Sequence, residues 1–143
     1  MTRKTLKLGI DLFDADCRYY GIGEYEYCLG NSLCLKAKEW AEKKGVEIYL
    51  LVKDHMVGAF GLDVKYVALT KRRMRLINGV PFLKHFLLPR FDLIHFTHQL
   101  PRLHVRVAPK TLVTIHNINF IHGSFSRFAK YRKQRRYQHY FRF

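Results

Sequence analysis

The residues with chemistry to offer fall into two groups. The first is the pair Gly21 and Gly23 in "GIGEYEYCL", between an apolar run and a long helical pattern. Glycines at a helix start let an anion approach backbone N–H groups where the helix carries partial positive charge. Glu24, in the first turn, suits the helix dipole but opposes a bound anion. A glycine turn needed only for backbone geometry explains the spacing equally well. The second group is polar: His98, His116, Asn117, Asn119 and His122, all late in the chain. A histidine such as His116 can serve as a general base or a hydrogen-bond donor. His95 falls inside a strand pattern and reads as structural. Cys17, Cys28 and Cys34 form no CxxC pair and are odd in number, so they read as free thiols of a reducing compartment. No metal and no cofactor is expected.

Positioning these groups requires a sheet. "LKLGIDLF" (Leu6–Phe13), "VEIYLLV" (Val46–Val52), "VKYVAL" (Val64–Leu69), "DLIHFTH" (Asp92–His98) and "KTLVTIHN" (Lys110–Asn117) are short apolar runs that predict five strands. From Gly23 to about Lys44, apolar residues at Ile22, Tyr25, Leu29, Leu33, Ala37, Trp40 and Ala41 have helical spacing. Lys43, Lys44 and Gly45 supply a helix stop. Residues 71–91 read as a helical region broken at Asn78-Gly79-Val80-Pro81, and residues 125–143 as an aromatic, basic helix. Strands alternating with helices predict a doubly wound, Rossmann-like parallel sheet of about five strands in a single domain over residues 1–143. Ligands bind such sheets beyond the carboxyl ends of the strands. Those ends carry the loops Asp14–Gly23, Lys53–Leu62, Phe96–Pro101 and His116–Gly123. A dinucleotide is not expected. The GxGxxG fingerprint lacks its third glycine, the loop is long, and Asp54 after the second strand is a weak substitute for the rest.

Charge divides the chain. Up to Asp63 there are nine Lys/Arg and ten Asp/Glu, a balance of −1; from Val64 onward there are seventeen Lys/Arg and one acid, Asp92, a balance of +16. A field of that sign attracts polyanions, anionic head groups and diphosphates. With 48% apolar residues the chain is not a disordered polar one, and no apolar run reaches the ~20 residues of a membrane span. The basic start is followed by a stretch broken by Asp11, Asp14 and Asp16, unlike a secretory signal. The expected location is cytoplasmic, peripheral at the inner face of the cell membrane.

Three motifs in order, "RYYGIGEYEYCLGNSL", "FDLIHFTHQLP" and "PKTLVTIHNINFIH", resemble the N-terminal half of GT-B glycosyltransferases of the large retaining group 1, family 4-like, class. The resemblance runs from about Leu6 to Phe128. It implies an acceptor-side domain of an enzyme that moves a sugar from a nucleotide sugar to a glycan or lipid-linked acceptor, as in cell-surface polysaccharide synthesis. By the same resemblance Gly21 and Gly23 lie on the donor diphosphate side. His116 is the catalytic residue near the sugar. His98, Asn117 and Asn119 line the acceptor and sugar pocket. The family's Arg after the glycine loop is Glu24 here, and its acid after the histidine is Asn117, which cannot take a proton. The E-x7-E signature and a second Rossmann unit do not occur, and the sixth strand is missing. The expectation is a chain truncated before that strand, needing a C-terminal domain or a second subunit, and inactive alone.

The basic half suits a lipid-linked substrate. Arg72, Arg73 and Arg75, with Phe82, Phe86 and Leu87, form one candidate membrane or anion patch; Arg132, Lys133, Arg135 and Arg136 form another. The competing reading is a basic half-domain that binds nucleic acid or an anionic membrane without catalysis. Nucleic acid is the weaker partner, because no recognition motif appears and the glycine loop would go unexplained.

Overall fold

The computed structural model describes residues 5–98 and 101–116. Five strands build one sheet: β1 (Leu6–Asp11), β2 (Val46–Val52), β3 (Lys65–Ala68), β4 (Leu93–Phe96) and β5 (Lys110–Val113). Three helices accompany them: α1 (Gly21–Lys44), α2 (Lys71–Gly79) and the single turn α3 (Lys84–Leu87). The order across the sheet is β3-β2-β1-β4-β5, and every pairing is parallel. This is the α/β, Rossmann-like arrangement expected from the alternating pattern. Central β1 sets Gly9 opposite Tyr49 of β2 on one side and Ile94 of β4 on the other. The strand order reverses between β1 and β4, and their carboxyl ends are where sheets of this kind bind ligands.

Strand alternation sends side chains to two faces. Ile48, Leu50 and Val52 join Ile10, Leu12, Leu33 and Ala37 in the core beneath α1. Tyr49 and Leu51 join Val67, Ile77, Leu88, Ile94 and Phe96 in the core beneath α2 and α3. Strand β2, buried from Ile48 to Val52, is thus covered on both sides, which explains its continuous apolar run, whereas edge strand β5 is exposed from Lys110 to Leu112.

Helix α1 begins two residues before its expected start and ends where expected. Gly45 adopts φ 63 and its N–H bonds back to Ala41 and Trp40, a left-handed cap that glycine enters without a Cβ clash. Its buried positions are Gly23, Glu26, Gly30, Leu33 and Ala37. That stripe is offset by one residue from the apolar set Ile22, Tyr25 and Leu29. Small residues win because the helix lies close: a Cβ on Gly30 would fall 2.5 Å from the Phe60 ring.

The break expected at Asn78–Pro81 is present. Helix α2 is capped by the Thr70 hydroxyl, which accepts from Arg73 N–H at 3.1 Å, and it ends at Gly79. A 3-10 turn over Pro81–Leu83 then leads into α3. Asn78 ties this region to the loop before β5, donating to the Arg102 carbonyl at 2.8 Å and accepting from His104 N–H at 2.7 Å. The expected C-terminal helix with Arg132, Lys133, Arg135 and Arg136 lies outside the described residues, as do Asn117, Asn119 and His122 of the loop before it.

Candidate functional site

The carboxyl ends of β1, β4 and β5 converge on Thr97. This residue follows β4 and is fully buried. Its hydroxyl lies 2.5 Å from the main-chain oxygen of Asp11 at the end of β1. The same hydroxyl lies 2.7 Å from Oε1 of Glu26 on α1. Its carbonyl accepts from His116 Nε2 at 2.6 Å, just beyond β5. The His116 ring stacks edge-on against Tyr25 of α1, with centroids 5.0 Å apart. One buried threonine therefore joins segments from all three motifs.

The protonation of this hub follows from the donors. A carbonyl only accepts, so the Thr97 hydrogen points at Asp11 O. The contact to Glu26 then needs its proton on the carboxyl. Oε2 of Glu26 meanwhile accepts from Asp14 N–H at 2.7 Å. Glu26 is 1% exposed, and burial pushes its carboxyl up to about 8, with the Asp11 charge adding to the rise. Asp11, also buried, is pushed up to about 7 by desolvation, against the pull of the Phe13 N–H and the Arg102 charge. Glu26 is thus a neutral acid at pH 7, satisfied on both oxygens. Since His116 donates through Nε2, the basic nitrogen of its neutral ring is Nδ1.

The rim beside the hub is polar and cross-braced. Arg102 grips Asp14 through one nitrogen, at 2.5 and 2.7 Å from the two carboxylate oxygens, and lies 4.4 Å from the Phe13 ring centroid. Lys53 binds Asp16 at 2.6 and 2.8 Å, and lies 5.1 Å from the same ring. His55 Nε2 reaches Asp16 at 3.1 Å. Burial alone would raise the Asp16 carboxyl, yet the Lys53 and Cys17 bonds and the nearby cations hold it below the usual value. The Cys17 thiol is raised, chiefly by its bond to the Asp16 carboxylate and then by burial, which disfavours the thiolate. Asp14-Ala15-Asp16 has the spacing of a metal-binding carboxylate pair, so the expectation of no metal cannot rest on the absence of such a pair from the sequence. The fold gives the two acids different cationic partners. Among the described residues no group of three His, Cys, Asp or Glu side chains could hold a metal ion.

The glycine pair divides. Neither residue has positive φ, so the turn is not needed for backbone geometry. A Cβ on Gly23 would fall into the Cys17 carbonyl and within 2.7 Å of the Asp14 carbonyl oxygen. What comes close to Gly23 is the chain's own loop. Gly21 is exposed, with nothing within 4 Å of an added Cβ, and Tyr20 supplies no side-chain cap. Only Gly21 leaves open space at the helix start.

His98 sits half-buried one residue past Thr97, on the same rim. His95 bonds Thr114 at 2.7 Å and burial lowers it, in keeping with a structural role. Arg73 is not an exposed patch residue. Its guanidinium donates to the Ala68 carbonyl at 2.8 Å and to the Leu87 carbonyl, while Arg72, Arg75, Phe82 and Phe86 are exposed. Sequence reading missed Asp11, Glu26 and Thr97 altogether. The one available signal was the spacing of Glu26 within the small-residue stripe Gly23, Gly30 and Ala37.

No family model, curated protein or solved structure matches the chain. No helix among the described residues is long and apolar enough to cross a membrane.

Proposed function

We propose that the chain is the acceptor-side domain of a glycosyltransferase that moves a sugar from a nucleotide sugar to a glycan or lipid-linked acceptor. The observation that carries this reading is the meeting of the three motif segments at Thr97, with His116 held by its carbonyl and stacked on Tyr25. Ligand crevices of parallel sheets form at such switch points.

In this reading His116 works at the reacting centre. The Thr97 carbonyl fixes Nε2 as the donor, and Nδ1 takes the proton of the acceptor hydroxyl. Gly21 gives a donor diphosphate access to the uncapped N–H groups of α1. His98, Asn117 and Asn119 belong to the acceptor pocket. A second Rossmann-like domain, in the same polypeptide or a partner subunit, supplies the donor-binding wall; without it the transition state is held from one side only. The nucleotide sugar is the substrate, and the reading calls for no cofactor. Exposed Arg72, Arg75, Phe82 and Phe86 support peripheral contact with an anionic membrane from the cytoplasmic side.

The test is nucleotide release by the native gene product, assayed with a panel of common nucleotide sugars. Acceptor-dependent release supports the reading. No release and no transfer with any of them overturns it.

A further inference from the structure

At the opposite end of the sheet, away from Thr97, lies a cleft of about 420 Å³. It is bounded by α3 with the turn into β4 (residues 84–91) and by the turn into β5 (residues 106–109). Its volume lies in the range of small-molecule sites. Of its ten lining residues, four are Lys84, His85, Arg90 and Arg106, and none is acidic. The rest are apolar, including Leu88 and Val107.

Two of these basic side chains also brace the walls. Lys84 Nζ donates to the Arg106 carbonyl at 2.6 Å. Arg106 donates to the Ala108 carbonyl at 3.3 Å and the Pro109 carbonyl at 2.8 Å. These acceptors are neutral, and among the described residues none of the four basic groups pairs with a carboxylate. The cleft is therefore a fixed positive concavity, with donors left over on Lys84 and Arg106.

An apolar feature adjoins it. The His85 ring stands edge-on to Phe82 at 6.0 Å, and Phe82 to Phe86 at 5.3 Å. Those two rings are 66% and 72% exposed. Water-exposed rings beside unneutralised cations match an interface where acyl chains meet phosphates.

We propose that this cleft binds the phosphate of an anionic phospholipid headgroup, with Phe82 and Phe86 entering the bilayer interface beside it. Arg90, His85 and the remaining donors of Lys84 and Arg106 contact the phosphate. The proposal deepens the membrane-contact reading above and rests on it; it is independent of sugar transfer.

The test is co-sedimentation of the protein with phosphatidylcholine vesicles, with and without phosphatidylglycerol. The wild type partitions onto the anionic vesicles only. Arg90→Glu lowers that partition about tenfold or more, as expected for losing charge at the headgroups. Lys38→Glu, an equal charge reversal on the exposed face of α1, lowers it far less. Arg90→Ala, falling between the wild type and Arg90→Glu, keeps the test readable should the reversal disturb the fold. Phe82→Ser with Phe86→Ser also lowers the partition. Equal effects of Arg90→Glu and Lys38→Glu overturn the cleft while leaving general membrane attraction standing. No preference for anionic vesicles overturns both. Binding of glycerol phosphate in solution without vesicle partition assigns the phosphate to a soluble ligand and overturns the lipid source. Displacement from vesicles by sub-stoichiometric oligonucleotide overturns it in favour of nucleic acid.

Discussion

The Thr97 hydroxyl oxygen lies 2.7 Å from Oε1 of Glu26 and 2.5 Å from the carbonyl oxygen of Asp11. One hydroxyl hydrogen cannot serve both oxygens, so Glu26 supplies the second. A buried carboxylic acid, not a carboxylate, sits at the β1/β4 switch point. It braces α1 against the ends of β1 and β4, and the Thr97 carbonyl passes that order on to His116.

Replacing that acid by its neutral isostere tests the assignment. Glu26 titrates near 4.5 when unfolded and at about 8 when folded. Between those values the unfolded chain has released its proton and the folded chain has not. Stability from this group therefore falls as pH rises from about 4.5 to 8 and levels off above. Glu26→Gln keeps both hydrogen bonds, its amide donating to Thr97 and its oxygen accepting from Asp14. It should match wild type at pH 4 and exceed it by on the order of 4 kcal/mol at pH 8. Thermal melts across pH read the gap; a variant less stable at pH 8 than at pH 4, relative to wild type, would show that a carboxylate is needed.

The two glycines of the α1 start should respond oppositely. Gly23→Ala drives a methyl into the Cys17 and Asp14 carbonyls and should cost about 3 kcal/mol or more. Gly21→Ala meets open space at a helical position and should raise stability by about 0.5 kcal/mol. In the native gene product the same Gly21→Ala should weaken use of a nucleotide sugar if, as proposed, a donor diphosphate approaches the start of α1 there. Donor KM read together with the melting temperature separates the two effects.

Arg73 should behave as a structural clamp. Arg73→Lys cannot span the Ala68 and Leu87 carbonyls with a planar fork and should lose about 1–3 kcal/mol. Arg72→Ala and Arg75→Ala should leave the melting temperature nearly unchanged, since both side chains are exposed. Equal losses at all three positions would contradict the clamp.

The sheet was legible from sequence because strands buried on both faces must be apolar throughout, as in "VEIYLLV", and because Gly45 can only stop a helix of that pattern. The inner face of α1 was not. An apolar count selects Ile22, Tyr25 and Leu29, whereas close packing selects Gly23, Glu26 and Gly30. A glutamate scores as surface until its partners Thr97 and Asp14, distant in sequence, are known. Arg73 misled for the same reason: its acceptors are main-chain carbonyls that carry no sequence signal. His116 and His98 were placed correctly at strand ends, since that depends only on where the apolar runs stop. The basic cleft escaped notice because its walls come from two segments about twenty residues apart.

The central claim is that His116 works at a sugar-transfer centre held by Thr97. It is tested most directly by His116→Ala in the native gene product, with turnover of a nucleotide sugar and the melting temperature measured on one preparation. The account predicts turnover reduced about 100-fold or more, the scale of a lost general base, with the melting temperature shifted by only a few degrees. Unchanged turnover, or a loss of turnover that merely tracks unfolding, would contradict it.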